Sequence, residues 1–160
     1  MTSTSAVPTS GLYLAFCDRT AANYSVRRWH YSRSLPAGRL VMIGAWEDGR
    51  FVGCVIFSRG ANKDLARRFD LRQTEAVERT RVALAEHVTP TSRIVSVALK
   101  LLKRQSPGLR CVISFADPAA GHAGTLYRAC NFQFLGMTNA ESMLRIGGQL
   151  RHARTVTSRF

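Results

Sequence analysis

The run LVMIGAWEDGRFVGCVIFSRG, residues 40–60, is two apolar stretches broken only around Asp48-Gly49. That dipeptide favours the two-residue type I′ turn, in which both central residues take positive φ, so the run predicts a β-hairpin with two long strands. A chain of 160 residues with 46% hydrophobic side chains is the size of one domain and can bury a core without disulfides or metal. We therefore expect a single domain over residues 11–148, a Ser/Thr/Pro-rich flexible N-terminus over 1–10, and a basic tail over 149–160.

The four cysteines, Cys17, Cys54, Cys111 and Cys130, lie far apart and mostly in apolar runs such as VGCVIF and RCVISF, with no CxxC spacing. They read as small buried hydrophobes of a reducing compartment, which points to a cytoplasmic protein. The N-terminus MTSTSAVPTS has neither a basic segment nor a long apolar one, and no apolar run approaches the roughly 18 residues of a membrane span. Secretion and membrane insertion are not expected.

LYLAF opens the folded part, and a helix precedes the hairpin. Residues 61–75 are polar with poor periodicity and read as a loop with at most a short helix. VERTRVAL alternates Val77, Arg79 and Arg81 against Glu78, Thr80 and Val82, which suggests a strand with two guanidinium groups on one face. Thr91 or Ser92 can cap a helix carrying Ile94, Val95, Ala98, Leu99, Leu101 and Leu102 at helical spacing, ended by Pro107-Gly108. RCVISFADP reads as a buried strand, residues 123–130 as a short helix, and FQFLGM and SMLRIG as two closing strands.

The formal charge is +13, from 23 Lys plus Arg against 10 Asp plus Glu, with a pI near 11.0. A polyanionic partner is the leading expectation, against the alternative of a basic but unspecialised surface. Between Arg19 and Trp46 there are five Arg and no acid, ending in RRWHYSRS. Arg27, Arg28, Trp29 and Arg33 are the candidate contacts with such a partner there.

The element order, with LYRACNF after a strand, resembles the GCN5-related N-acetyltransferase (GNAT) fold: an α/β (α+β) domain with a mixed, mostly antiparallel central sheet flanked by helices. Leu126, Tyr127 and Phe132 match that family's fourth-helix pattern, with Asn131 where Gly is usual. That family cradles the pyrophosphate of acyl-CoA on a Gly-rich loop before its central helix. Here the segment reads LAEHVTPTS and has no Gly.

A closer resemblance, over residues 30–136, is to the Mom family of bacteriophage DNA-modification proteins. SFADPAAGHAGTLYRACNFQFLG is similar to its pattern of S-F-A-D, G-H-x-G, then Y-x-A-x-N, an aromatic and Gly. The His30-Tyr31 pair also matches, as do Glu78 and Arg81 in an E-x-x-R pattern. Departures are Phe132 and Phe134, where Trp and Tyr are usual, and Arg79, where an apolar residue is commoner.

The resemblance implies an enzyme that places a carbamoylmethyl group on the exocyclic amine of adenine in double-stranded DNA, shielding it from restriction. Such chemistry requires extruding the base, for which Trp29, Tyr31 and nearby Arg are suitable. Asp117 is the candidate base or amine anchor, its alternative being a cap on the turn before Pro118. Tyr127 stands where acetyltransferases keep a proton-donating phenol, or it is an ordinary half-buried helix Tyr. His30 can act as acid/base, stack on the base or ligate metal, or simply be solvated. Arg81 can clamp a carboxylate or phosphate, with Glu78 orienting it or pairing with Arg79.

Arg79, Ser114, His122, Gly124 and Asn131 complete the expected substrate or cofactor residues, with Gly121 and Gly124 allowing positive φ. The donor is open between acyl-CoA, a related group and iron-assisted chemistry, with His30, Tyr31 and Asp117 as conceivable iron ligands. Acetyl transfer alone would not yield a carbamoylmethyl group. The alternatives are an ordinary N-acetyltransferase acting on a small amine or protein, which the missing Gly-rich loop disfavours, and a non-enzymatic DNA-binding protein. A homodimer is compatible with all of them.

Overall fold

The computed structural model describes residues 6–59, 64–117 and 124–136, together with the backbone of 143–146 and 149–152. The predicted hairpin forms, with β2 at Leu40–Glu47 and β3 at Arg50–Ser58. Asp48 and Gly49 both have positive φ, 50° and 77°, as a type I′ turn demands. An unpredicted strand, β1 at Leu12–Phe16, pairs antiparallel with β2, because the short run LYLAF can bury its Leu side chains only by joining the sheet. The turn and β1 are tied together, Gly11 N–H donating to Asp48 Oδ1 at 2.7 Å and Asp48 N–H to the Gly11 carbonyl at 3.0 Å.

β4, Ala76–Leu84, pairs antiparallel with β3, and β5, Cys111–Ile113, pairs parallel with the start of β4. The order β1-β2-β3-β4-β5 makes a mixed, mostly antiparallel sheet. Helix α1, Arg19–Trp29, begins where the Asp18 side chain accepts from the Ala21 N–H at 2.8 Å. Its Ala22 and Val26 pack on Cys54, Ile56 and Ala83 on one face of the sheet. Helix α2, Thr91–Gln105, covers the other face, where Ile94, Val95, Ala98 and Leu102 meet Ile43, Ala45, Val55 and Phe57. Burying each of the larger of these side chains contributes about 1.5–3 kcal/mol.

Gly53 lets β3 and β4 approach. Its φ is 133°, and a Cβ there would lie 2.0 Å from the Ala83 carbonyl oxygen.

Several expectations are corrected. Arg79 and Arg81 do not share a face: Phe57 pairs with Arg79 and Ile56 with Arg81, leaving Thr80 as an extra bulge residue that reverses the alternation. The Thr80 hydroxyl fixes the bulge by donating to the Ile56 carbonyl at 3.2 Å. Helix α2 is entered through Pro90 with no side-chain cap, while Thr91 Oγ1 contacts His87 Nε2 at 3.1 Å. Only Cys111–Ile113 of RCVISFADP pairs, at the end of the described sheet order, and residues 114–117 leave the ladder.

The short helix is α3, Thr125–Ala129. Residues 132–136 form no strand, and β6, Met143–Ile146, pairs antiparallel with β7, Gln149–His152, which falls at the start of the expected tail. Residues 66–69 and 73–75, inside the expected loop, are short 3-10 turns.

Candidate active site

β5 pairs only with Ala76, Val77 and Glu78, so past Glu78 this edge of β4 is open among the described residues, and Arg79, Ser114 and Tyr127 meet beside it. The bulge at Thr80 distributes the side chains of β4. Val77, Arg79 and Val82 lie on the α2 side, while Glu78 and Arg81 lie on the α1 side with Ala83. In an unbroken strand, residues three apart face opposite sides. The E-x-x-R spacing works here only because the bulge adds a residue.

On the α2 side, Arg79 is 7% exposed. Its Nε and Nη2 both donate to Ser114 Oγ, at 3.1 and 3.0 Å, and Ser114 lies just past β5. The guanidinium carbon sits 4.6 Å from the Tyr127 ring centroid and 5.9 Å from that of Phe132, two rings meeting edge to face. The Tyr127 hydroxyl donates to the Phe115 carbonyl at 2.8 Å, and Ser114 Oγ lies 3.4 Å from it. Two departures from the family pattern, Arg79 and Phe132, are thus in contact with each other. Arg79 Nη1 is buried with no hydrogen-bond partner among the described residues, as is Arg81 Nε.

On the α1 side, Tyr31 follows the end of α1 and is 57% exposed, with the His30 ring stacked at 4.3 Å and 30°. Its hydroxyl is held above the ordinary phenol range by desolvation first and then by the Asp117 carboxylate; Arg81 opposes this and Tyr127 adds to it. Since much of the ring is open, that desolvation falls on the hydroxyl end. Arg81 Nη1 donates to the Thr80 carbonyl at 2.8 Å. Burial pulls the Arg81 guanidinium down, and Tyr31 and Glu78 counter this. Electrostatic interactions link Tyr31 with Asp117, Arg81 and Tyr127, and Arg81 with Glu78, while His30 stacks on Tyr31.

His30 is fixed by Ser32, whose backbone N–H donates to His30 Nδ1 at 3.1 Å, with Ser32 Oγ 2.8 Å from the same nitrogen. A backbone N–H can only donate, so the neutral ring carries its proton on Nε2. In that state the Nδ1 lone pair accepts from Ser32 and Nε2 carries the proton. Among the described residues no three His, Cys, Asp or Glu side chains gather as a metal site. A metal at His30 would have to displace the Ser32 bond from Nδ1 or the proton from Nε2. Cysteine nucleophiles are disfavoured as well, because burial raises the thiols of Cys17, to about 12, and of Cys54, to about 11, and also those of Cys111 and Cys130.

The remaining expected residues fall into three groups. Gly124 precedes α3 with φ 75°. Asn131 has φ 59°; its N–H bonds the Arg128 carbonyl at 3.0 Å, and the Phe132 N–H bonds the Tyr127 carbonyl at 2.9 Å. This is a Schellman C-terminus, so Asn replaces Gly at a left-handed position it tolerates. His122 and Gly121 lie outside the described residues.

Among the DNA candidates, Arg27 and Arg28 are exposed on the last turn of α1. Arg33 donates to the Arg27 carbonyl at 2.6 Å and closes that helix end. Trp29 packs against Tyr24 at 5.4 Å and Phe51 at 6.4 Å, which makes it a packing residue rather than an open stacking platform. Tyr31 is the open ring. Sequence reasoning missed Ser32 and Thr80; the His-x-Ser spacing in HYS is the signal for the first, and nothing in the local pattern marks the second.

Comparison with known proteins gives two matches. Residues 11–160 match the Mom protein family. Methylcarbamoylase mom of Escherichia phage Mu is 29% identical over 133 residues, covering 81% of this chain and 55% of the phage Mu protein. The chain spans about half the length of that curated relative. With nearly its whole length matched, the chain belongs to the Mom family.

Proposed function

We propose that this protein is a DNA-modifying transferase that alkylates the exocyclic amine of adenine with a carbamoylmethyl-type group, protecting DNA from restriction nucleases. The observation that carries the reading is the electrostatic interaction of Tyr31 with Asp117, Arg81 and Tyr127, beside the Arg79–Ser114–Tyr127 clamp past the end of β5, in a chain of the Mom family. The relative's name, methylcarbamoylase, supports the group transferred. The short parallel pairing of β4 with β5 and the bulge in β4 support the acetyltransferase-like reading of the fold.

In this mechanism the adenine leaves the duplex and lies against the open face of Tyr31, which His30 backs at 4.3 Å. Unstacking costs a few kcal/mol, offset by this contact and by phosphate contacts from Arg27, Arg28 and other basic residues. The exocyclic nitrogen is a weak nucleophile because its lone pair is conjugated with the ring. Asp117 accepts its proton as the nitrogen forms a bond to the methylene carbon of the donor, whose leaving group departs with the bonding electron pair. Arg81, with Glu78 orienting it, neutralises charge on the donor. Arg79, Ser114 and Tyr127 hold the segment bearing Asp117 against α3.

Expression in a bacterial host followed by mass spectrometry of digested nucleosides tests the class. A new adenosine derivative is expected. Unmodified DNA, with the purified protein still binding duplex, would favour a non-enzymatic DNA-binding protein.

A further inference from the structure

The loop between β4 and α2 raises a separate question, because in a related acyltransferase its backbone N–H groups would receive the donor's pyrophosphate. Here two of those donors, with a hydroxyl beside them, are already used. Val88 N–H and Thr89 N–H both donate to the Glu47 carboxylate, at 2.8 and 2.6 Å, and the Thr89 hydroxyl donates to it as well. Donors that converge from one loop beside a helix start form an anion seat. Its occupant is a side chain from the end of β2.

Glu47 is 8% exposed and is held by the hairpin, where it pairs with Arg50. Arg50 reaches the same loop, its Nη2 donating to the Glu86 carbonyl at 2.9 Å. The hairpin end thus clasps the loop twice. Pro90, at the entry to α2, has no N–H to offer a ligand. A phosphate brought here would meet a carboxylate and spent donors.

We infer that Glu47 is an internal anion occupying the seat at the start of α2, so that the donor is bound without a pyrophosphate cradled on this loop. Acyl-CoA in the ordinary acyltransferase mode is excluded by that occupancy, and the loop is a fixed part of the scaffold. The Glu47 carboxyl is held down to about 2, so it does not vacate the seat by protonation near neutral pH. The inference rests on the group-transfer reading for its relevance, but its test reads binding alone and stands apart from any modification assay.

The test is calorimetric titration of the full chain with coenzyme A and with inorganic pyrophosphate at physiological salt, paired with thermal melts of wild type and Glu47→Ala. Wild type should show no coenzyme A binding that pyrophosphate displaces. Glu47→Ala empties the seat, and saturating pyrophosphate should raise its melting midpoint by roughly 3 °C more than that of wild type. If Glu47→Ala does not fold, the wild-type titration decides. Coenzyme A binding that pyrophosphate cannot displace upholds the inference. Wild-type binding displaced by pyrophosphate overturns it, as does a folded Glu47→Ala with no gain in response.

Discussion

Arg79 and Arg81, separated by one residue in β4, face opposite sides of the sheet. The bulge at Thr80 sends Arg79 into a buried clamp of Ser114, Tyr127 and Phe132 and leaves Arg81 with Glu78 and Tyr31. One strand thereby serves two purposes, bracing the segment after β5 and supplying charge to the opening beside it.

Arg79→Lys should destabilise the fold by about 1–3 kcal/mol, because an ammonium cannot donate twice to Ser114 Oγ while lying flat on Tyr127. Chemical denaturation of the variant checks this. A loss below a few tenths of a kcal/mol would remove the clamp from the account.

Tyr127→Phe keeps the ring that Arg79 and Phe132 pack on but removes the bond to the Phe115 carbonyl. We expect a stability loss of about 1 kcal/mol and a much larger fall in modification, because the segment leading to Asp117 loses its tether. Parallel melts and nucleoside analysis separate the two effects. Modification that falls only in proportion to folded protein would return Tyr127 to a packing role.

Acid sensitivity should pass through Glu47. Its carboxyl is lowered from 4.5 to about 2 by the Thr89 hydroxyl and the Val88 and Thr89 N–H groups. A carboxyl depressed in the folded state contributes stability above its unfolded value, and that contribution is lost as pH falls from about 4.5 toward 2. Glu47→Gln should therefore melt lower than wild type at neutral pH, with the gap closing across that window. A gap independent of pH would mean that the charge is irrelevant.

Gly53→Ala should destabilise by at least about 2 kcal/mol, since its Cβ would collide with the Ala83 carbonyl at an unfavourable positive φ. A thermal melt of the variant decides it. An unchanged midpoint would mean that β3 and β4 can separate at this point without cost.

Much of this architecture was legible from residues alone. Asp48-Gly49 announced the hairpin, and Ile94, Val95, Ala98 and Leu102 announced α2, because turn chemistry and helical spacing act locally. His30, Tyr31, Asp117 and Arg81 could be named from motif resemblance, although only the folded chain brings them together. The faces of β4 were misread because a bulge is set by pairing with β3, and nothing in VERTRVAL marks Thr80 as the extra residue. Trp29 looked like a stacking platform in sequence, yet it packs on Tyr24 of its own helix and on Phe51 from the distant β3. The role of Glu47 was equally hidden, since its partners lie beyond β4.

The account's central claim is that Asp117 takes the proton from the adenine amine, and Asp117→Asn tests it most directly. The change is nearly isosteric and removes the charge that acts on Tyr31. Quantitative mass spectrometry of nucleosides from cells expressing equal amounts of folded wild type and variant should show modification reduced to about a hundredth or less, with duplex binding retained. Near wild-type modification by a folded Asp117→Asn would contradict the account and leave Asp117 as a turn cap.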